Sequence, residues 1–360
     1  MRGLGVVVGV GILIVTFQNV DLDALGTTFA QIGPRLWLVP IPFALAQMTE
    51  TLAWKTAFRT TLLNLDYFRL LRIRLACEGV TATCPGGMLI AESIKPGLLM
   101  KQFGLTLEQA VTGTVTRKLL LLVAQCGYFG IATLFGIPAL VSLARTTSRG
   151  WWLSAATGLA LIALIVAAIV ASRSLSRGGV CDWLRRLFSR VPIAALRQAL
   201  DRKRTSFTRT DSRIAAFCTA GPKRLAKPTL IYLAAWMFEA LETFTILRLL
   251  CVHLDWKTIV LIEVCASMVR NLAFLSPSGL GAQDLSYAGL LQLFNVPDAI
   301  SVAAAFVLLK RGKELLWSLA GYGLLAGLND RNTPTRRIAA ITESRSRLAP
   351  PDADPSGFPV

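Results

Sequence analysis

The sequence predicts an all-α, polytopic membrane protein, and three observations carry that reading. Apolar residues make up 54% of the 360-residue chain and charged residues 16%, with a mean hydropathy of +0.56. A soluble domain of this size needs far more polar surface to cover its core. Apolar stretches recur at 4–17, 36–58, 119–143, 151–171, 230–250, 259–275 and 299–328, and several exceed the roughly 20 residues that cross a hydrocarbon core of about 30 Å. No alternating pattern marks a barrel, so the backbone is expected to satisfy its hydrogen bonds in lipid as helices.

From the N-terminus, Arg2 and the run Leu4–Phe17 resemble a secretory signal, but no small-x-small cleavage site follows. Gln18-Asn19-Val20-Asp21 comes directly after it, and a retained first helix is expected. The net charge of +17 is unevenly spread: residues 173–227 hold 14 Lys/Arg against the three acids Asp182, Asp201 and Asp211. Between spans, such a segment marks the cytoplasmic side rather than a nucleic-acid partner. Trp183, Leu184, Leu187, Phe188 and Val191 share a helical face there, which fits a helix lying on anionic lipid. The tail from Asn329 is rich in Pro, Ser and Arg without periodicity, and disorder is expected. The seven cysteines include no C-x-x-C, and His253 is the only histidine, an inventory that suits neither a disulfide framework nor a zinc site.

An internal repeat organises the rest. Glu50-Thr51-Leu52 recurs as Glu242-Thr243-Phe244, and 35 residues after each glutamate a proline opens a break: Pro85-Gly86-Gly87 and Pro277-Ser278-Gly279. An acid follows seven residues after each proline, Glu92 and Asp284, and then a long span with a basic pair, Arg117-Lys118 or Lys310-Arg311. Glutamate, proline and acid share an offset of 192 residues. Repeat one is expected over about 36–143, a cytoplasmic basic linker over 173–227 and repeat two over about 228–328. The integral membrane domain thus covers 1–328, and 329–360 form a cytoplasmic tail. Treating the breaks as tips of re-entrant hairpins, roughly 70–103 and 256–295, gives six full spans with both termini cytoplasmic and the two copies inverted. Arg145 and Arg149 then fall outside, against the charge rule. A count of about eight full spans places the breaks at the surfaces instead.

Charge inside a membrane costs at least about 2.5–3.5 kcal/mol per residue, so such residues have partners or tasks. The first copy supplies Glu50, Glu78, Glu92, Lys95, Arg117 and Lys118; the second supplies Glu239, Glu242, Glu263, Arg270, Asp284, Lys310, Arg311, Lys313 and Glu314. The breaks free backbone N–H groups, which with Lys95, Arg270 and Arg311 suit a phosphate or other acidic lipid headgroup. Glu50, Glu92, Glu242 and Asp284 would balance those cations or carry protons. Glu239 and Lys313 are assigned to the membrane interface or to helix pairing, and Arg59, Arg69, Arg72, Arg74 and Lys101 to the membrane surface. The bland alternative is that these pairs only fix helix register. The chain has no G-x-S-x-G, Walker loop or H-E-x-x-H, so no enzyme, cofactor or metal chemistry is expected.

The segment Asn271-Leu272-Ala273-Phe274-Leu275-Ser276-Pro277-Ser278-Gly279-Leu280-Gly281-Ala282-Gln283-Asp284, followed by Leu308-Leu309-Lys310-Arg311-Gly312-Lys313-Glu314-Leu315-Leu316, resembles the lysylphosphatidylglycerol synthase transmembrane, or flippase-like, family. Ala53-Trp54-Lys55 and Pro85-Gly86-Gly87 resemble its first half, and the resemblance covers about 1–328. The family pattern is near Pro-Gly-Gly-Leu-Gly-x-x-Glu; Ser278 and Asp284 depart from it, and Asp284 keeps the charge with a shorter reach. Overall length and the second motif resemble most the branch encoded with hopanoid-biosynthesis genes. No soluble aminoacyltransferase domain is recognised, so the resemblance implies the lipid-handling part alone. The expectation is a bacterial inner-membrane protein that moves or presents an amphipathic lipid, a hopanoid or an anionic phospholipid. A membrane enzyme or enzyme subunit modifying headgroups, and a scaffold for lipid-biosynthesis enzymes, remain the alternatives.

Overall fold

The computed structural model describes residues 27, 30–60, 64–84, 86–146, 148–177, 204–219, 222–273 and 279–330. The expected first helix 4–17, the amphipathic face at 183–191, Pro85, Pro277, Ser278 and the tail beyond 330 lie outside them. Among the described residues the protein is all helix. A 3-10 helix, Gly33–Leu38, precedes α1 (Pro40–Thr60), α2 (Tyr67–Thr83), α3 (Gly87–Phe103), α4 (Leu107–Thr146) and α5 (Ser148–Arg177). After the basic segment come α6 (Arg204–Cys218), α7 (Pro222–Leu249), α8 (Trp256–Leu272), α9 (Ala282–Leu293) and α10 (Ala299–Asp330).

Local chemistry sets the boundaries. Asp66 caps α2 by accepting the Arg69 N–H at 2.8 Å, and Asp255 caps α8 by accepting those of Lys257 and Thr258 at 3.1 and 3.3 Å, each satisfying donors that a helix start leaves orphaned. The first break needs both its glycines for different reasons. Gly86 has φ +64°, and a Cβ on Gly87 would stand 2.4 Å from the Val80 carbonyl oxygen. The α2–α3 hairpin can close only with a left-handed residue followed by one without a side chain.

The two halves run through the same order of elements. A long helix bearing a glutamate (α1, α7) leads to a short one (α2, α8), a break, another short one (α3, α9) and a long helix with a basic pair (α4, α10). The packing is reciprocal: α1 lies against α7, α2 against α10 and α8 against α4. At 1.5 Å per residue the 17-residue helices α2, α3 and α8 run about 25 Å and the 12-residue α9 about 18 Å, less than a hydrocarbon core of about 30 Å. The hairpins thus span 67–103 and 256–293, within a few residues of the sequence reading. Helices α5 and α7 take up both ends of the basic stretch, and α6 packs on α4 and α5 within it.

Apolar and polar residues are arranged in the opposite sense to a soluble protein. Ile41, Leu45, Met48 and Leu52 form an exposed stripe along α1; Leu159, Ile162, Val166 and Ile169 do so on α5, and Leu315 and Leu319 on α10. Exposed apolar surface on this scale marks contact with something other than water. Inside, Arg74, Lys95, Arg117, Glu242, Glu263, Asp284, Lys310 and Lys313 are buried. Among the described residues, two helices are long and apolar enough to cross a membrane by length and composition alone, Leu107–Pro138 and Leu225–Leu249. Helix α1 carries Glu50, Lys55 and Arg59, and α10 carries Lys310, Arg311, Lys313 and Glu314. Most of those charges turn inward and pair.

Candidate functional site

The inward charges meet around a cavity of about 470 Å³ whose wall comes from both halves. Helices α1 to α4 contribute Glu50, Arg74, Glu78, Glu92, Lys95, Arg117 and Lys118; α7, α8 and α10 contribute Glu239, Glu242, Arg270, Lys310, Lys313 and Glu314. The wall therefore holds six carboxylates and seven cations. Phe43, Gln47, Gln125, Trp236 and Trp317 fill between them.

Ion pairing offsets part of the cost of placing such groups in surroundings that disfavour charge. In the first half Glu50 meets Arg74 at 2.5 Å and Arg117 at 3.9 Å, while Glu92 gathers Arg117 at 2.5 Å, Lys95 at 2.6 Å and Lys118 at 3.3 Å. In the second half both Glu242 oxygens accept from Lys313, at 2.8 and 2.9 Å, and Lys310 stands 3.5 Å away. Lys310 also lies 3.8 Å from the fully buried Glu263, which accepts from Thr243 and Tyr287 at 2.5 and 2.8 Å. Arg270 pairs with Glu239 at 2.9 Å, and Arg311 bridges Asp284 and Glu314 at 2.7 and 2.5 Å.

The repeat spacing reappears in three dimensions. The pairs Glu50–Arg117 and Glu92–Lys118 have as counterparts Glu242–Lys310 and Asp284–Arg311. In each, the acid is displaced by 192 positions and the base by 193.

The residues singled out from sequence divide accordingly. Lys95, Arg270, Glu50, Glu92, Glu242 and Gly279 line the cavity. Gly279 has φ +69°, and a Cβ there would stand 3.1 Å from the Arg270 Cγ, so this glycine leaves room for the arginine at the wall. Arg311 and Asp284 are not on the wall; Asp284 is buried behind it, where its carboxylate also accepts the Gly281 N–H at 2.8 Å. Gly86 and Gly87 are not on the wall either, and the Gly87 N–H is donated to the Cys84 carbonyl at 2.8 Å.

Two assignments change. Arg74 is not a membrane-surface cation: it is 5% exposed, paired with Glu50 and hydrogen-bonded through Nε to Gln47 at 2.6 Å. Its helical neighbours Leu70, Ile73 and Cys77 are buried, and that shared face is the sequence signal that separates it from Arg69 and Arg72. Lys313 pairs helices as expected, α10 to α7, but it does so at the cavity and over the Phe43 ring, 4.2 Å from its centroid. Gln125 and Trp236 of the wall carry no charge, and no spacing in the sequence distinguishes them.

An all-helical bundle with apolar flanks and an ion-paired polar chamber fits one class, the polytopic helical membrane proteins. Residues 3–309 match the family model of the lysylphosphatidylglycerol synthase TM region. The chain belongs to that family of membrane regions from lipid-related proteins, and is a membrane protein. Comparisons with curated proteins and with solved structures find no match.

Proposed function

We propose that the protein is a lipid translocase of a bacterial inner membrane, moving or presenting an amphipathic lipid, a hopanoid or an anionic phospholipid, across the bilayer. The observation that supports this reading is the charge-paired cavity walled by both halves of an externally apolar bundle. Its volume of about 470 Å³ suits a headgroup and leaves the chains outside against the apolar faces. A headgroup crossing bare hydrocarbon forfeits its hydration; here Lys95 and Arg270 replace water as partners, and the carboxylates hold those cations until the headgroup arrives. The reciprocal packing of α2 on α10 and α8 on α4 suits two inverted repeats that exchange roles, opening the cavity to one leaflet and then the other. In this arrangement the hairpins 67–103 and 256–293 are re-entrant, both termini are cytoplasmic, and the basic segment contacts anionic lipid and lipid-biosynthesis enzymes. Membership of the hopanoid-associated branch belongs to the same proposal.

The test is leaflet exchange of chain-labelled lipid in protein-free, wild-type and Arg270→Ala/Lys95→Ala proteoliposomes. Wild type is expected to speed exchange and the double variant to lose most of it, with lipid masses unchanged throughout. Equal exchange in all three vesicles refutes the proposal, and a new lipid mass would favour a headgroup-modifying enzyme.

A further inference from the structure

The cavity wall has one charged side chain that stands apart. Of its six carboxylates, Glu50, Glu92, Glu239, Glu242 and Glu314 each meet a cation, and all seven cations meet a carboxylate. Glu78 alone has neither hydrogen-bond nor ion-pair partner among the described residues. It sits one turn beyond Arg74 on α2, toward the first break. The next residue, Gly79, packs where a Cβ would be 3.0 Å from the Ser318 carbonyl of α10. The position 192 residues on, its counterpart by the repeat spacing, is Arg270. The same chamber is thus lined by a glutamate from one half and an arginine from the other at matching places.

The remaining unmatched polar groups of the wall are one acceptor, Glu92 Oε2, and a set of donors. Gln125 Nε2, Trp236 Nε1, Trp317 Nε1 and Arg117 Nε are buried donors without an acceptor among the described residues, and all four residues line the cavity. Adding the groups directly behind the wall, Glu263, Asp284 and Arg311, gives eight acids and eight cations. Without Glu78 these described groups number seven acids against eight basic side chains.

We infer that the cavity holds a zwitterionic headgroup, its anionic oxygens taken by the orphan donors and the basic side chains, and its ammonium by Glu78. This rests on the proposed translocation of an amphipathic lipid, and among such lipids it selects a zwitterionic headgroup in place of a purely anionic one. A headgroup with an anion alone would serve the donors but face Glu78 with like charge in a region of low dielectric. A purely cationic one would leave the four donors unmatched. A headgroup with both charges completes the wall.

The experiment uses full-length wild-type protein and Glu78→Gln in proteoliposomes, with chain-labelled lipids of three headgroups: phosphoethanolamine, its N-acetyl form, and phosphoglycerol. The N-acetyl form keeps the phosphate and loses the ammonium. Wild type is expected to exchange the phosphoethanolamine lipid about tenfold faster than the other two, and Glu78→Gln to abolish that preference while the other two rates persist. Equal wild-type rates for all three, a preference for phosphoglycerol, a preference that survives in Glu78→Gln, or loss of all three rates in that variant each overturn the assignment. If no lipid exchanges faster than in protein-free vesicles, the translocase reading falls with it; equal rates above that background remove only the headgroup assignment. Encapsulated glycerophosphoethanolamine, the same headgroup without chains, is expected to stay inside. Its protein-dependent escape would assign the site to a soluble solute and overturn the lipid reading.

Discussion

Glu242→Gln removes one negative charge and almost no volume, which makes it a clean probe of the buried network. Glu242 is 2% exposed and holds Lys313 through both oxygens, at 2.8 and 2.9 Å. Lys310 keeps Glu263 at 3.8 Å after the change, but Lys313 keeps only the Phe43 ring at 4.2 Å. Leaving a buried ammonium without its carboxylate costs about 3–5 kcal/mol. Replacing both members, Glu242→Gln with Lys313→Met, removes the uncompensated charge and should recover most of that loss. The exposed contacts of Arg209 and Arg213 with Glu108, at 3.9 and 3.8 Å, supply the control: such pairs contribute about 0–1 kcal/mol. Denaturant titration in mixed micelles, followed by tryptophan fluorescence, measures the single variant, the double variant and the controls Arg209→Gln and Arg213→Gln on one scale. A Glu242→Gln loss below about 1 kcal/mol, or a double variant worse than the single, would refute the reasoning, because the pair would then not be dry.

Other consequences follow from packing and from the breaks. Gly321→Leu should destabilise by about 1–3 kcal/mol or more, because even a Cβ there would stand 2.5 Å from the Leu75 carbonyl where α10 crosses α2; Gly97→Ala, with nothing within 4 Å, should be neutral or slightly stabilising in the same denaturant titration. Gly279→Val combines a φ of +69° with a crowded Arg270 and should cost about 1–3 kcal/mol, with lipid exchange falling more than stability does. Arg117→Met should destabilise strongly, since Glu92 loses its 2.5 Å partner and Glu50 a second cation at 3.9 Å.

Much of this architecture was legible because the chain repeats itself. The spacing of Glu50, Pro85 and Glu92 against Glu242, Pro277 and Asp284 located the two hairpins and the acids of both halves. Periodicity could not supply partners: which base meets which acid depends on α2 crossing to α10 and α8 to α4, contacts between residues far apart in sequence. Arg74 was hidden among Arg59, Arg69 and Arg72, since a run of arginines at a span end resembles a surface cluster until its helical face is drawn. Arg311 and Asp284 looked like cavity residues, but they meet behind the wall at 2.7 Å. The N–H groups freed at the breaks looked available to an anion, yet Asp284 and the Cys84 carbonyl take two of them. Glu78 was visible as an intramembrane acid; that it has no partner among the described residues appears only in three dimensions.

Photocrosslinking tests most directly whether the charged cavity receives a lipid headgroup. Protein in vesicles is irradiated with one lipid carrying a diazirine on the headgroup and another carrying it on the chain, and adducts are mapped by mass spectrometry. The headgroup probe is predicted to label wall residues such as Gln125, Trp236 and Trp317, and the chain probe to label outward residues such as Leu159 and Leu319. Headgroup adducts confined to exposed positions such as Trp37, with none on the cavity wall, would contradict the account.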